Sequence, residues 1–218
     1  MEVLNDLPAR LPGRRFATIL DVGAHVGQTT LELKVAFPDA TVLAFEPIED
    51  SFAELTSATA DLEGVSTYQV ALGGSPGTAW MKNNGTSTAN AVIAPGRESP
   101  GDVQVEVVTG DAFCAEAGIE HVDFLKVDAV GQDLEVLRGF HGLLGDGEID
   151  VVQVEASMYS GAQRQIPLER FRGYLEPLGY HVFGIYSPRY GHRGLPVLAR
   201  ADVVFLSPAT LEAHTVSA

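Results

Sequence analysis

The chain has 218 residues, 45% of them hydrophobic, enough to bury one substantial core without calling for a second domain. With 29 acidic residues against 14 basic ones and a formal charge of −15, its surface as a whole repels nucleic acid and anionic membranes, which leaves a small molecule as the natural partner. A single cysteine, Cys114, rules out an intrachain disulfide and a cysteine-rich zinc cluster.

The first six residues, Met1-Glu2-Val3-Leu4-Asn5-Asp6, have no basic start followed by an apolar core. No apolar run approaches the ~18 residues that a membrane span requires. The expectation is one soluble, cytoplasmic domain over residues 1–218, compatible with a homo-oligomer.

From Phe16 onward, a short apolar run, a turn and a stretch of helical periodicity alternate. That is the pattern of an α/β fold, doubly wound, with a mostly parallel sheet and crossover helices. Residues 16–20 are the first predicted strand, and Leu31, Leu33, Val35 and Phe37 mark the apolar side of the helix after it. Residues 41–45 are the second strand, Phe52, Leu55 and Ala58 follow at helical spacing, and residues 65–70 offer a third strand.

Between Gly73 and Pro100 the rhythm gives way to Gly, Ser, Thr, Asn and Pro around two brief apolar pieces, residues 79–81 and 91–93. Structureless stretches of that length are uncommon and often functional, so this segment is read as an insertion, a hairpin and loop forming a substrate-facing lid. A disordered surface loop is the competing reading.

Residues 103–108 form the next predicted strand, followed by a helix opened by Asp111. Residues 122–127 are a central strand, and the helix bearing Leu134, Val136 and Leu137 can be closed by Gly139. Residues 149–154 form another strand, and Leu168, Phe171 and Leu175 lie on a helix ended near Pro177 and Gly179. Only the Gly-, Pro- and Arg-rich residues 187–196 separate the last two apolar runs, 180–186 and 201–206. With no helix between them, these two strands pair antiparallel, as a hairpin closing the sheet.

In an open sheet of this kind ligands bind beyond the carboxyl ends of the strands, where the strand order reverses. Asp21 closes the first strand and leads straight into Val22-Gly23-Ala24-His25-Val26-Gly27. Gly23 and Gly27 permit a tight turn and close approach to a ligand, while Gln28, Thr29 and Thr30 open a helix with free N–H groups. Nicotinamide, flavin and adenosylmethionine binders all share such a two-glycine loop.

Two acids sharpen the choice. Glu46, at the end of the second strand, is placed to accept both hydrogen bonds of a ribose diol, which serves NAD and adenosylmethionine equally. Asp21 separates them, because a carboxylate there repels a pyrophosphate but favours the sulfonium and ammonium of adenosylmethionine. Asp128 and Glu155, read as ending the two following central strands, are candidates for orienting the donor, for a general base, or for a divalent metal with oxygen ligands. Each has a plain alternative as a solvated strand end or turn cap. Four such acids in one crevice favour a cationic occupant.

The words Ile19-Leu20-Asp21-Val22-Gly23-Ala24-His25-Val26-Gly27-Gln28-Thr29, Glu46-Pro47 with Phe52, Val70-Ala71-Leu72-Gly73, and Asp123-Phe124-Leu125-Lys126-Val127-Asp128 followed by Gly131 and Leu134 to Gly139 resemble the FkbM family of methyltransferases. The resemblance spans residues 18–206 and implies a Rossmann-like class I methyltransferase fold. It further implies S-adenosylmethionine as donor and, as acceptor, a hydroxyl on a sugar or secondary metabolite. Carried over by position, it assigns Asp21, Gly23 and Gly27 to the methionine end of the donor, with Ala24, His25, Gln28 and Thr29 in the same loop. Glu46 and Pro47 go to the ribose, Val70, Ala71 and Leu72 to the adenine edge, and Asp128 to the floor beside the methyl group.

Two positions depart from the family pattern: His25, where it usually has Asn, and Val130, where it usually has an acid before the glycine. His25 keeps one hydrogen bond as donor or acceptor, whereas the Val130 side chain makes none. The role of the missing acid then falls to Asp128, Asp133 or Glu155. The expected reaction is an in-line displacement on the methyl group, with Asp128 or Glu155 as base and His25 and His192 behind them. The competing functions are a donor-binding module without chemistry and a nicotinamide oxidoreductase. Asp21 and the lack of a third glycine in G-x-G-x-x-G spacing disfavour the latter.

Overall fold

The computed structural model describes residues 2–88, 90–159, 165–192 and 194–214. Along the chain run α1 (Glu2–Arg10), β1 (Thr18–Val22), α2 (Gln28–Ala36), β2 (Thr41–Phe45), α3 (Glu49–Thr59) and β3 (Val65–Tyr68). Three short strands follow, β4 (Ala71–Leu72), β5 (Gly77–Met81) and β6 (Val103–Val108). Then come α4 (Gly110–Ala117), β7 (Val122–Val127), α5 (Asp133–Gly139), α6 (His141–Asp146), β8 (Ile149–Ser157) and α7 (Leu168–Leu175). The chain closes with β9 (His181–His192), β10 (Leu195–Leu206) and α8 (Pro208–Ala213).

Seven strands form the main sheet in the order β3-β2-β1-β7-β8-β10-β9. Only β10 is reversed, pairing antiparallel with β8 on one side and β9 on the other. The expected hairpin therefore closes the sheet. Both faces are covered: Ile19 and Phe124 point into a core with Val3, Leu7 and Leu33, while Leu20 and Leu125 point into a second core with Leu137, Phe140 and Phe171. Parallel strands buried on both faces read as predominantly apolar runs, which is why β1 and β7 show no strict apolar–polar alternation in sequence.

Residues 73–100 are not structureless. β5 pairs antiparallel with β6, and β4 pairs parallel with β6 on its other side, giving a second three-stranded sheet. Beyond β5 the chain closes on itself, with Lys82 N–H donating to Ala91 O at 2.9 Å and Ile93 N–H to Trp80 O at 2.7 Å. The small sheet abuts the body at Gly139, where an added Cβ would stand 2.2 Å from the Gly73 carbonyl oxygen. A glycine there allows backbone to meet backbone.

The reading of residues 187–196 as a loop needs correction. β9 runs on to His192 and β10 starts at Leu195, so most of this segment is a strand pair with irregular register rather than a loop. α1 and α8 escaped sequence analysis as well. α1 buries Val3, Leu4 and Leu7, and the Tyr186 hydroxyl ties it down by donating to Asp6 at 2.7 Å. α8 opens with a Ser207 cap and Pro208 in its first turn, a start signal legible in the sequence. Among the described residues no helix is long and apolar enough to cross a membrane.

Candidate active site

The order of the main sheet reverses between β1 and β7, and a cleft of about 590 Å³ opens beyond the carboxyl ends of these strands. Its floor begins with the loop after β1. Gly23 has φ +76°, and a Cβ on it would lie 2.0 Å from the Asp128 carbonyl oxygen, so only glycine lets the β1 and β7 loops meet. The Gly23 and Ala24 N–H groups both donate to Phe45 O, at 3.0 and 2.9 Å, which fastens this loop to β2. Gly27 precedes α2 in a left-handed conformation with no side-chain cap, leaving the first N–H groups of the helix without a capping partner. Gly23, Ala24, His25, Gln28 and Thr29 line the cleft; Gly27 packs instead against Leu55 of α3.

Glu46 stands just past β2 on the cleft wall, 7% exposed. Its Oε2 accepts the His25 N–H at 3.0 Å and its Oε1 accepts the Ile48 N–H at 2.9 Å. Burial raises the pKa of this carboxyl above the usual range, against the pull of those two amides and of the positive charge at Lys126. Each carboxylate oxygen keeps a second lone pair for a hydroxyl donor. Pro47 lines the wall beside it, and Val70, Ala71 and Leu72 continue the wall toward the small sheet.

The floor is an ionic chain that sequence analysis saw only in part. Asp21 is fully buried and does not face the cleft: its Oδ2 accepts the Thr30 hydroxyl at 2.7 Å, and its Oδ1 lies 3.2 Å from Lys126 Nζ. Lys126 pairs with Asp21 in the β1–β7 register, so the two side chains meet under the loop. Its ammonium donates to Gly23 O at 3.4 Å and stands 3.9 Å from Asp128 Oδ2. Burial alone would lower the Lys126 pKa, but Asp21 and Asp128 outweigh it and keep the group charged. Two carboxylates against one ammonium leave the floor with one net negative charge, carried toward the cleft by Asp128, whose side chain is 49% exposed. Lys126, quoted in the motif but given no role, was legible only as an oddity, a cation inside an apolar strand.

The loop after Asp128 is strained and held. Three non-glycine residues have positive φ among the described residues, His25 (+53°), Val130 (+39°) and Ser187 (+49°). All three sit at the carboxyl edge of the sheet, Ser187 following Tyr186, which pairs with Asp202 beside Glu155. A β-branched residue in this region costs about 1–3 kcal/mol and persists only where its surroundings impose it. Asp133 imposes it here, accepting the Ala129 and Gly131 N–H groups on either side of Val130, each at 3.0 Å. Asp133 is thus a buried clamp on the loop, and Val130 presents its apolar side chain to the cleft.

Burial, reinforced by repulsion from Asp128, pushes the Asp133 carboxyl up to about 6 despite its amide bonds. Between about pH 4 and pH 6 the folded chain then holds this proton more tightly than the unfolded chain does, so the contribution of Asp133 to stability falls as pH rises. Urea unfolding at pH 4 and pH 7 is expected to show wild type losing on the order of 2–3 kcal/mol relative to Asp133→Asn over that window. Parallel pH profiles of the two proteins would show that the group does not titrate there.

Glu155 does not end its strand, because β8 runs two residues further to Ser157. Its carboxylate accepts from Arg200 at 3.2 Å and does not line the cleft; burial and repulsion from Asp128 raise its pKa, and Arg200 opposes that rise. The four acids thus diverge: Glu46 and Asp128 face the cleft, whereas Asp21 and Glu155 are occupied by cations of the chain. The His192 side chain lies outside the described residues. The ring of His25 bonds to Thr86 O at 2.9 Å. Among the described residues, the group close enough to share a cation is His121, Asp123 and Asp150, at the opposite edge of the sheet. There Arg14 already pairs with Asp150, and Asp123 accepts the Ala17 and Thr18 N–H groups, so the cluster ties the segment before β1 to the sheet.

A cleft at this switch point, with an acid free for a diol on one wall and a net negative floor under a glycine loop, fits S-adenosylmethionine, which carries no phosphate and a net positive charge. The strand order and this cleft define the class I S-adenosylmethionine-dependent methyltransferase fold. The family model of the methyltransferase FkbM domain matches residues 21–182, and the chain belongs to that family.

Among its relatives, methyltransferase sdnD of Sordaria araneosa is 31% identical over 163 residues, covering 60% of this chain and 62% of the relative. The hexuronic acid methyltransferase AglP of Haloferax volcanii is 27% identical over 139 residues, covering 63% and 56%. The chain therefore spans about three-fifths of the length of these relatives. In fold it is similar to the N-terminal domain of EvdMO1, solved in the presence of S-adenosylhomocysteine and D-fucose, with a TM-score of 0.51 at 12% identity, covering 94% of this chain and 82% of that one.

Proposed function

We propose that this chain transfers a methyl group from S-adenosylmethionine to a hydroxyl oxygen of a sugar or secondary metabolite. The observation that carries this reading is the floor of the cleft, where Asp128 is the one carboxylate of the Asp21–Lys126–Asp128 chain that reaches the open space. The relatives support the acceptor class: one is named for a hexuronic acid, and the EvdMO1 domain was solved with D-fucose.

S-adenosylmethionine supplies, when bound, an electrophilic methyl on a positively charged sulfur. Glu46 holds the ribose end with the lone pairs that the His25 and Ile48 amides leave free. Lys126 pairs with Asp21, so that Asp128 and Glu46 are the carboxylates left to face the positively charged donor. Transfer would break the donor's carbon–sulfur bond as the oxygen–carbon bond forms, with S-adenosylhomocysteine as leaving group, and Asp128 would take up the proton that the acceptor hydroxyl gives up. Taking up that proton would neutralise Asp128. No second base is required.

Incubating the protein with S-adenosylmethionine bearing a ¹³C-methyl group and a panel of glycosides and hydroxylated metabolites is expected to release S-adenosylhomocysteine and give a ¹³C methyl-ether resonance. Asp128→Asn should lower kcat by about 10²- to 10⁴-fold, the usual worth of a general base, with donor affinity changed far less. Methylation at nitrogen or carbon would contradict the oxygen assignment. Val130, apolar where the family usually has an acid, favours the second reading, a donor-binding module without chemistry. That reading predicts donor binding with no S-adenosylhomocysteine from any acceptor.

A further inference from the structure

The segment after β5 forms a strap along the cleft, which Ser87, Thr88, Asn90 and Val92 line. Lys82 N–H bonds to Ala91 O at 2.9 Å, Asn84 N–H to Asn90 Oδ1 at 2.9 Å, and the Asn90 amide donates to Gly85 O at 2.7 Å. The strap is therefore held in a turn, and its Ser87, Thr88 and Asn90 line the cleft, as Glu46 does. It reaches the body of the protein at His25. The His25 ring nitrogen Nε2 lies 2.9 Å from Thr86 O, and a carbonyl can only accept, so Nε2 carries the proton and donates. The same residue gives its backbone N–H to Glu46 Oε2 at 3.0 Å and is held at φ +53°. One residue thus joins the strap, the glycine loop and the acid on the cleft wall.

We propose that His25 is a positioning residue of the donor site, latching the strap over the Glu46 side of the cleft so that the nucleoside enters and leaves only when the bond to Thr86 opens. The inference rests on the donor half of the function proposed above and is independent of the acceptor. Reach decides the role. Asparagine at this position would tolerate the left-handed backbone better than histidine does, but its amide nitrogen extends only as far as the histidine Nδ1 and falls short of Thr86. Glutamine puts an N–H donor at the distance of Nε2. His25→Asn therefore relaxes the backbone and loses the latch, whereas His25→Gln keeps it.

The test follows release of radiolabelled S-adenosylmethionine from the full-length protein by rapid filtration, together with hydrogen exchange of the amides of residues 83–88. His25→Ala and His25→Asn are expected to release the donor about three- to tenfold faster than wild type, the range that one neutral hydrogen bond supports. Exchange across residues 83–88 should accelerate by a similar factor even in the unloaded protein, since the strap opens locally. His25→Gln should stay within about twofold of wild type on both measures, because it retains the donor. Unchanged release in Ala and Asn variants of a protein that binds the donor overturns the latch and leaves the donor assignment standing. Release from the Gln variant as fast as from the Ala variant overturns it too, since the ring would then act by packing alone.

Discussion

Replacing Glu46 by alanine is expected to weaken S-adenosylmethionine binding at least about 100-fold, since a hydrogen bond to a charged acceptor is worth roughly 1.5–3 kcal/mol and a ribose diol makes two. The loss has a second source inside the protein. Glu46 also receives the His25 and Ile48 N–H groups, so its removal frees the glycine loop and the start of α3 together. Glu46→Gln separates the two contributions. Its amide keeps one oxygen as an acceptor but turns a donor toward either the His25 or the Ile48 N–H, so it should bind more weakly than wild type and more tightly than alanine. Calorimetric titration with S-adenosylmethionine measures all three proteins, and thermal melting reports whether the loops still fold. A Glu46→Ala affinity within threefold of wild type would remove Glu46 from the donor site.

The second large effect belongs to Lys126. Lys126→Met leaves Asp21 fully buried and without its cation, and breaking a buried pair from one side costs about 3–5 kcal/mol. Urea unfolding should show that loss in the absence of ligand. The donor brings positive charge to the same floor, so saturating S-adenosylmethionine is expected to raise the melting temperature of Lys126→Met by more than it raises that of wild type. Adding Asp21→Asn to Lys126→Met removes the stranded carboxyl group and should recover most of the lost stability, a coupling that the double-variant cycle measures directly. If the double variant is no more stable than the single one, Lys126 contributes through packing and not through its pairing with Asp21.

Much of the sheet was legible because its residues are chosen by burial. The predominantly apolar runs of β1, β2, β7 and β8 announce strands covered on both faces, and the helices between them show their cores at helical spacing. The motifs at the strand ends were legible for a related reason: a glycine that must meet a carbonyl at Gly23, or an acid that must collect loop amides at Glu46, tolerates few substitutes. The stretch from 73 to 100 was harder. Its strand β5 is short and largely exposed, and it is stabilised by β6, which lies more than twenty residues further along the chain. Residues 187–196 misled for the opposite reason, since glycine and proline in an irregular edge hairpin look like a loop when the pairing partner is not in view.

By itself, then, the sequence determined the α/β class, the order of the elements, the glycine loop after Asp21 and the acid at Glu46, because periodicity and local backbone demands are written into neighbouring residues. Which acids face the ligand was a tertiary decision. Asp21, Glu46, Asp128 and Glu155 are equivalent as letters, and only the β1–β7 register that sets Lys126 against Asp21, and the β8–β10 pairing that brings Arg200 to Glu155, leave Glu46 and Asp128 to the cleft. The strap was decided the same way. Nothing local to His25 indicates Thr86, sixty-one residues away, until the small sheet folds back and carries that carbonyl to the imidazole.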